Sequence, residues 1–242
     1  MKNLVIIPAR GGSSRLKNKN ILPLGEIPLI AHSIKTALKI KNAKVLVSSD
    51  DDEILDISKE YGAEIILKRP KDISSNHSPS ILVITHALDW LRSNTKYDEP
   101  KAIIFKPPTN PFITSTSINN MIDLLEKEKD LSSVVTITKS ISHPFKYVAM
   151  DENGKINNEI VKINNLSIND FEMSQDWPMC FEGSPACRIS KMSYFKGISI
   201  DTKKPPKTYN ILSAKGYLVS NKEALDIDSK EDFERAKLEL KN

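Results

Sequence analysis

Leu4-Val-Ile-Ile-Pro-Ala-Arg-Gly-Gly-Ser-Ser-Arg-Leu-Lys-Asn-Lys-Asn-Ile-Leu-Pro-Leu-Gly25 is the stretch on which the reading of this 242-residue chain turns. Residues 3–7 are a short apolar run bounded by loop signals, the pattern of a buried parallel strand. The run enters a basic, glycine-bearing loop, and an amphipathic helix follows. That order puts backbone N–H groups and cations at the carboxyl end of a central strand, where open α/β sheets bind ligands. Gly11 and Gly12 let the backbone approach a phosphate. Arg10, Arg15, Lys17 and Lys19 supply charge, and Asn20 can read a base or a ribose. The loop lacks the Gly-Lys-Ser/Thr ending of a P-loop and the GxGxxG fingerprint. It reads as a cradle for a nucleoside triphosphate, with a plain basic surface loop as the alternative.

Working outward, strands and helices alternate. A helix is expected over 28–40, with Leu29, Ile30, Ala31, Ile34 and Leu38 on one face and Pro28 in the first turn. A strand at 44–48 leads through Ser49 and Asp50-Asp51-Asp52 into a helix at 53–61, closed by Gly62. The acidic cluster lies where a helix N-terminus favours acids, so a capping role is expected. A strand at 63–67, a polar loop at 68–78 and a helix at 79–93 come next. A strand at 101–105 ends in Pro107-Pro108-Thr109-Asn110-Pro111; Ser115 is expected to cap a helix at 116–128, before a strand at 132–138. Strand–helix alternation over residues 3–138 argues for a doubly wound, mostly parallel sheet.

The character changes over 139–180, which are rich in Asn, Ser and charge. A hairpin is expected there, with 145–150 and 155–156 flanking the turn Asp151-Glu-Asn-Gly154. The segment is too long for a plain loop in a compact domain, and reads as an inserted β-rich arm suited to dimerisation. Alternation returns with strands at 186–189 and 216–219 and a last helix from Ser229 to about Leu240. No repeat or linker divides the chain, so one domain over 1–242 with an arm at about 139–180 is expected.

Asp226-Ile227-Asp228 is the second chemical feature. Residues two apart in extended chain face the same side, and two such carboxylates make a hard-oxygen site for Mg²⁺. Beside a triphosphate, such an ion offsets charge developing in phosphoryl or nucleotidyl transfer. The alternative is that one of the pair caps the last helix. The histidines form no ligand set, which argues against zinc, and Gly183-Ser184-Pro185 is no nucleophile elbow.

Hydrophobic residues make up 39% of the chain, charged residues 27% and aromatics 6%, and the net charge is +4. Lys and Arg are spread out, with local density at 10–19 and 203–207. This suits small anions better than a nucleic-acid polymer, which needs a basic stripe and aromatic platforms. Cys180 and Cys187 suggest free thiols in a reducing compartment. With no signal peptide pattern and no apolar run of ~20 residues, a cytoplasmic protein free of the membrane is expected.

Taken together, these residues resemble the acylneuraminate cytidylyltransferases, the CMP-sialic acid synthetases, over nearly the whole chain. The likeness is carried by Ala9 to Ser13 with Lys19-Asn20, by Pro28-Leu29-Ile30 and by Ser48-Ser49-Asp50. Arg69-Pro70 through Ser78 and Ser80, Pro108-Thr109-Asn110-Pro111, and Asp226-Ile227-Asp228 complete it. The resemblance implies that the anomeric hydroxyl of a nine-carbon α-keto sugar acid attacks the α-phosphate of CTP, forming a CMP-sugar and pyrophosphate. It implies that Arg10, Ser13, Lys19, Asn20, Arg69, Ser78 and Ser80 hold CTP, with Gly11 and Arg15 beside them. Arg10 and Lys19 would balance phosphate charge, and Asp226 and Asp228 would hold Mg²⁺, one of them assisting deprotonation; Arg10, Lys19 and Asp228 are the expected catalytic groups. The arm would join a homodimer and reach the partner's site.

The departures cluster on the sugar side. Ser14 replaces the family Lys after the loop serine, with Arg15 next door. Lys106-Pro107-Pro108 stands where the family has Gln before its turn, and Ile113 where it has Arg. The family's basic arm pattern reads Met173-Ser174-Gln175-Asp176, and its later Asn-Gly reads Ser184-Pro185. Arg188 and Lys106 are the candidate partners for the acceptor's carboxylate. Two other readings stand beside the first: transfer to another sugar acid of the 3-deoxy-octulosonate type or from another nucleotide, and a non-catalytic nucleotide-binding homologue.

Overall fold

The structure, a computed structural model, describes residues 3–13, 15–94, 96–157, 161–196 and 206–241. Ser14 and residues 203–205 of the basic stretch lie outside them. Seven strands form one sheet: β1 (Asn3–Pro8), β2 (Ala43–Ser49), β3 (Ile65–Lys68), β4 (Ala102–Phe105), β5 (Ser133–Lys139), β6 (Phe181–Lys191) and β7 (Ala214–Leu218). Their order is β7-β5-β6-β4-β1-β2-β3. β6 is antiparallel to both neighbours and every other pairing is parallel. The expected doubly wound, mostly parallel α/β sheet is the fold.

The strands are apolar on both faces because both faces are covered. Val5, Ile7, Val45, Val47 and Ile104 lie in a core with α1 (Leu29–Ala37), α2 (Asp52–Glu60) and α4 (Ser115–Lys127). Leu4, Ile6, Leu46, Ile103 and Phe105 lie in another with α3 (Ser80–Arg92) and the helical turn Met192–Phe195. α5 (Lys230–Glu239) closes the described chain. From β1 the chain goes first to β2 on one side, and only after β3 does it cross to β4 on the other. The switch point is therefore between β1 and β4, where such sheets open a crevice at their carboxyl ends.

The helix after the first loop runs Leu29–Ala37 where 28–40 was expected, and the sequence showed no further structure between β1 and its start. A 3₁₀ turn (Lys19–Ile21) and a tiny hairpin pairing Pro23–Leu24 with Ile27–Pro28 intervene. Gly25, at φ +68°, makes that hairpin's turn, a conformation costly for other residues. The first helical N–H, on Leu29, is taken by the Leu22 carbonyl at 2.9 Å. The loop thus offers cations and side-chain amide rather than a helix N-terminus. The cap of α4 is Thr114, not Ser115, because Thr114 keeps an extended backbone and its side chain accepts the Ser117 N–H at 3.1 Å.

The segment expected as a β-rich arm is the connection between β5 and β6, and its described residues are not β-rich. Its β content is small: a ladder pairing Ala149–Met150 with Ile156–Asn157, and a bridge between Ile163 and Leu166. Its root is an aromatic group in which His143 stacks near Phe145 and Trp177, both at 4.8 Å. Farther out, Tyr147, Met150, Ile156 and Met173 are exposed.

Candidate functional site

A cleft of about 250 Å³ opens at the switch point, lined by residues from the ends of β1 and β4 and from β6. Eight of the residues singled out in the sequence line it: Arg10, Ser13, Lys19, Asn20, Arg69, Ser78, Ser80 and Asp228. They come from four separate stretches, which β1, β3, α3 and the segment before α5 bring together. Thr109 and Arg188, from the turn after β4 and from β6, complete its far wall.

Each is positioned by a nameable interaction. Asn20 is buried; its amide donates to the Arg10 carbonyl at 2.9 Å, leaving its Oδ1 buried without a partner. Arg69 is only 5% exposed, and its nearest carboxylate, Asp50, is 4.0 Å away. Its Nε and one Nη are buried and unpartnered. Burial pushes the Arg69 guanidinium below its ordinary range, Asp50 opposes that shift, and Arg10 adds to it. An unsatisfied buried cation of this kind is ready for an anion. Ser78 bonds back to Ser75 at 2.9 Å, closing the loop that leads to Ser80 at the start of α3.

Gly11 and Arg15 do not line the cleft. The Gly11 N–H donates to Asp50 at 3.1 Å, and a Cβ there would fall 2.6 Å from an Asp51 carboxylate oxygen. Its smallness lets the loop pack on the acidic turn. Arg15, with its side chain 70% exposed, pairs with Asp228 at 3.1 Å. Asp51 caps α2 as expected, accepting the Ile54 N–H at 3.2 Å, whereas Asp50 ties down Gly11.

The two carboxylates stand either side of a buried anchor. Leu225 and Ile227 pack into a third apolar cluster with Leu24, Leu29, Phe233 and Ala236. The Ile227 N–H donates to the Thr109 carbonyl at 2.9 Å, and its carbonyl accepts from Lys19 Nζ at 2.7 Å. Asp228 faces the main cleft and pairs with Lys19 at 3.0 Å. Asp226 faces an adjoining cleft of about 270 Å³, whose wall includes Thr138, Ile141, Ser184 and Arg235. Burial holds the Asp226 carboxyl above its usual range; Thr109's hydroxyl opposes this, and the Asp228 charge adds to it. Asp226 Oδ1 is buried and unpartnered. Neither carboxylate caps α5: Ser229 does, in a reciprocal box with Asp232.

Lys106, a candidate for the acceptor's carboxylate, points elsewhere. It is 0% exposed and donates to Ser33 at 2.8 Å and to the Asn110 carbonyl at 3.3 Å. Burial pushes its ammonium down to about 7. Its place beneath the turn at 107–111 was missed in the sequence. Among the described residues no cluster of three or more His, Cys, Asp or Glu offers a metal cage, both cysteines are free, and no helix is long and apolar enough to cross a membrane.

Comparison with known proteins places this geometry. Residues 4–165 match a family model described as cytidylyltransferase. An N-acylneuraminate cytidylyltransferase of Escherichia coli is 28% identical over 239 residues, covering 97% of this chain and 51% of the relative. A pseudaminic acid cytidylyltransferase of Campylobacter jejuni is 44% identical over 100 residues, covering 40% of this chain and 43% of the relative. The matches thus span about half the length of these relatives. In fold the chain is similar to a solved CMP:2-keto-3-deoxy-manno-octonic acid synthetase complexed with CTP, with a TM-score of 0.69 at 14% identity, covering 100% of this chain and 99% of that one.

Proposed function

The chain belongs to the cytidylyltransferase family, and from that membership we propose that it transfers the cytidylyl group of CTP to a sialic-type nine-carbon sugar acid. The observation that carries the reading is the convergence of two loop cations, the Asn20 amide, Arg69, three serines and Asp228 on one cleft at the sheet's switch point. In this reaction the acceptor's anomeric oxygen forms a bond to the α-phosphorus. The bond from the α-phosphorus to the bridging oxygen breaks, pyrophosphate leaves with the electron pair, and the hydroxyl proton passes to the Asp226–Asp228 pair.

Arg10, Lys19 and Arg69 supply fixed positive charge where the triphosphate lies, the form of stabilisation that needs no rearrangement during reaction. Ser13, Ser78 and Ser80 offer hydroxyls to phosphate and sugar oxygens. The free Asn20 Oδ1 accepts from the nucleoside. Gly11 and Arg15 act one step back, through the acidic turn and through Asp228.

The donor set fits Mg²⁺. Asp226 has a buried, partnerless oxygen, and the mutual repulsion of the two carboxylates is what a divalent cation relieves. Asp226 and Asp228 would hold it. Bound there, Mg²⁺ supplies charge neutralisation at the phosphates. The cleft on the Asp226 side gives space for the body of the acceptor. The exposed Met150 and Ile156 support a homodimer joined through the arm, and the readings of a soluble cytoplasmic enzyme and of no nucleic-acid polymer stand with this proposal.

The test is release of pyrophosphate from CTP and Mg²⁺ with N-acetylneuraminic, pseudaminic and 3-deoxy-manno-octulosonic acids. The expected result is turnover with a nine-carbon acid. Turnover with the eight-carbon acid alone would move the acceptor class, and no turnover with any would overturn the reading.

A further inference from the structure

Arg188 is a cation on the cleft wall that the triphosphate does not account for. β6 sets it opposite Phe105 on β4, and its guanidinium lies over that ring at 4.8 Å. Just before Arg188 the ladder to β5 slips, the chain advancing five residues on β6 against two on β5 between the pairs Gly183–Ile137 and Arg188–Val135. Thr136 fills the slip: its hydroxyl lies 2.9 Å from the Ser184 and Cys187 carbonyls and accepts the Cys187 N–H at 3.1 Å. Bulges of this kind re-aim side chains beside sites. Arg188 Nε is buried without a hydrogen-bond partner, and among the described residues no carboxylate pairs with it. A guanidinium held over an aromatic ring by a cation–π contact keeps its N–H donors for an anion.

We propose that Arg188 holds the carboxylate of the acceptor and thereby selects for an acid. The proposal rests on the cytidylyl-transfer reading. In the ring form of a 2-keto sugar acid, the anomeric carbon carries both the attacking hydroxyl and the carboxylate. The carboxylate carbon is then two bonds from the oxygen that meets the α-phosphorus. Its anchor must therefore share the cleft of Asp228 and Lys19. Lys106 is sealed beneath the turn at 107–111, and Arg235 lines the neighbouring cleft. Arg10 and Arg69 lie on the opposite wall, with the triphosphate. Arg188 faces them from β6 with its fork unused.

Arg188→Met and Arg188→Lys are compared with wild type, using whichever acid of the panel is turned over. Rates are measured against the acid at saturating CTP, and against CTP at saturating acid. Loss of a charge-assisted pair predicts a rise in KM for the acid of about 10–100-fold in Arg188→Met, with KM for CTP within about twofold. Arg188→Lys, which keeps the charge and loses the fork, is expected between the two. The same acid as its carboxamide should be discriminated against by wild type and no longer by Arg188→Met. An unchanged KM for the acid, or a rise in KM for CTP instead, overturns the assignment alone. A wild type that releases no pyrophosphate with any acid overturns the transfer reading, and the assignment falls with it. Equal melting shifts with CTP in wild type and Arg188→Lys establish that the variant is folded.

Discussion

The cleft that holds Asp228 is walled by the ends of buried strands, whereas the cleft that holds Asp226 is walled by the outer part of β6 and by the segment from Asn221 into α5. On the first side, Arg10 follows β1, Arg69 follows β3 and Thr109 follows β4, so each side chain inherits its position from a core element. On the second side, Glu182 to Pro185 lie on β6 before its ladder to β5 slips, and Ile141 starts the connection that leads into the arm. A triphosphate needs fixed charges, because cations that must reorganise during reaction lose much of their value. An acceptor pocket can be revised at less cost, since loops change without disturbing a core. Of the sequence departures, Ser184 and Pro185 line that second side, whereas Lys106 and Ile113 are buried in the scaffold.

The contrast is broken most severely at the ridge between the clefts. Asp228→Asn keeps the volume of the side chain and removes its charge. The expected loss is about 10²–10³-fold in kcat, with the melting temperature little changed, read from steady-state rates and thermal unfolding. A variant within a few-fold of wild type would show that the Asp226–Asp228 pair is a structural feature.

Arg69→Met separates binding from stability. Removing a buried cation with partnerless nitrogens should raise the melting temperature of the free protein. It should also weaken CTP about 10–100-fold, as loss of a charge-assisted contact does, measured by calorimetric titration. A lower melting temperature with unchanged CTP affinity would place Arg69 in the scaffold.

On the arm side, Met150→Asp puts a charge on an exposed apolar strand position. Self-association measured by sedimentation should weaken by at least about tenfold, while CTP affinity stays within about twofold. Loss of CTP affinity without change in association would contradict the division between the two sides.

The smallest effect concerns Lys106. Its ammonium loses a proton at about 7 in the folded chain and near 10.5 when unfolded. Between those values the unfolded state binds more protons, so stability rises with pH across that window. Lys106→Met removes this rise. The variant should gain about 1 kcal/mol over wild type at pH 6, with the gain fading by pH 9, followed by denaturant unfolding at each pH. A gain that does not vary with pH would mean that Lys106 keeps its proton in the folded chain over this range.

The sheet was legible because buried parallel strands read as apolar runs and the helices carried periodicity and stop signals such as Gly62. Of the residues that line the main cleft, Arg10, Lys19 and Asn20 were legible from their types in the first loop, whereas Arg69, Ser78 and Ser80 came only through the family resemblance. Three features were not legible. The hairpin closed by Gly25 is two residues per strand, too short for any period, so it was not expected. Thr114 and Ser115 are equally good caps by composition, and only backbone conformation separates them. Lys106 was a candidate for the acceptor's carboxylate, because nothing local announces that residues 33 and 110 will close over it. The slip before Arg188 depends on Thr136, far away in sequence, and left no local mark.

The central claim is that the α-phosphoryl group, with its nucleoside, moves to the acceptor. Wild-type protein with Mg²⁺ and the preferred acid is incubated in parallel with CTP labelled with ³²P at the α and at the γ phosphate. The account predicts that α label appears in the sugar product and γ label in pyrophosphate. Label from the γ phosphate in the sugar, or α label that stays in CTP and its hydrolysis products, would contradict it.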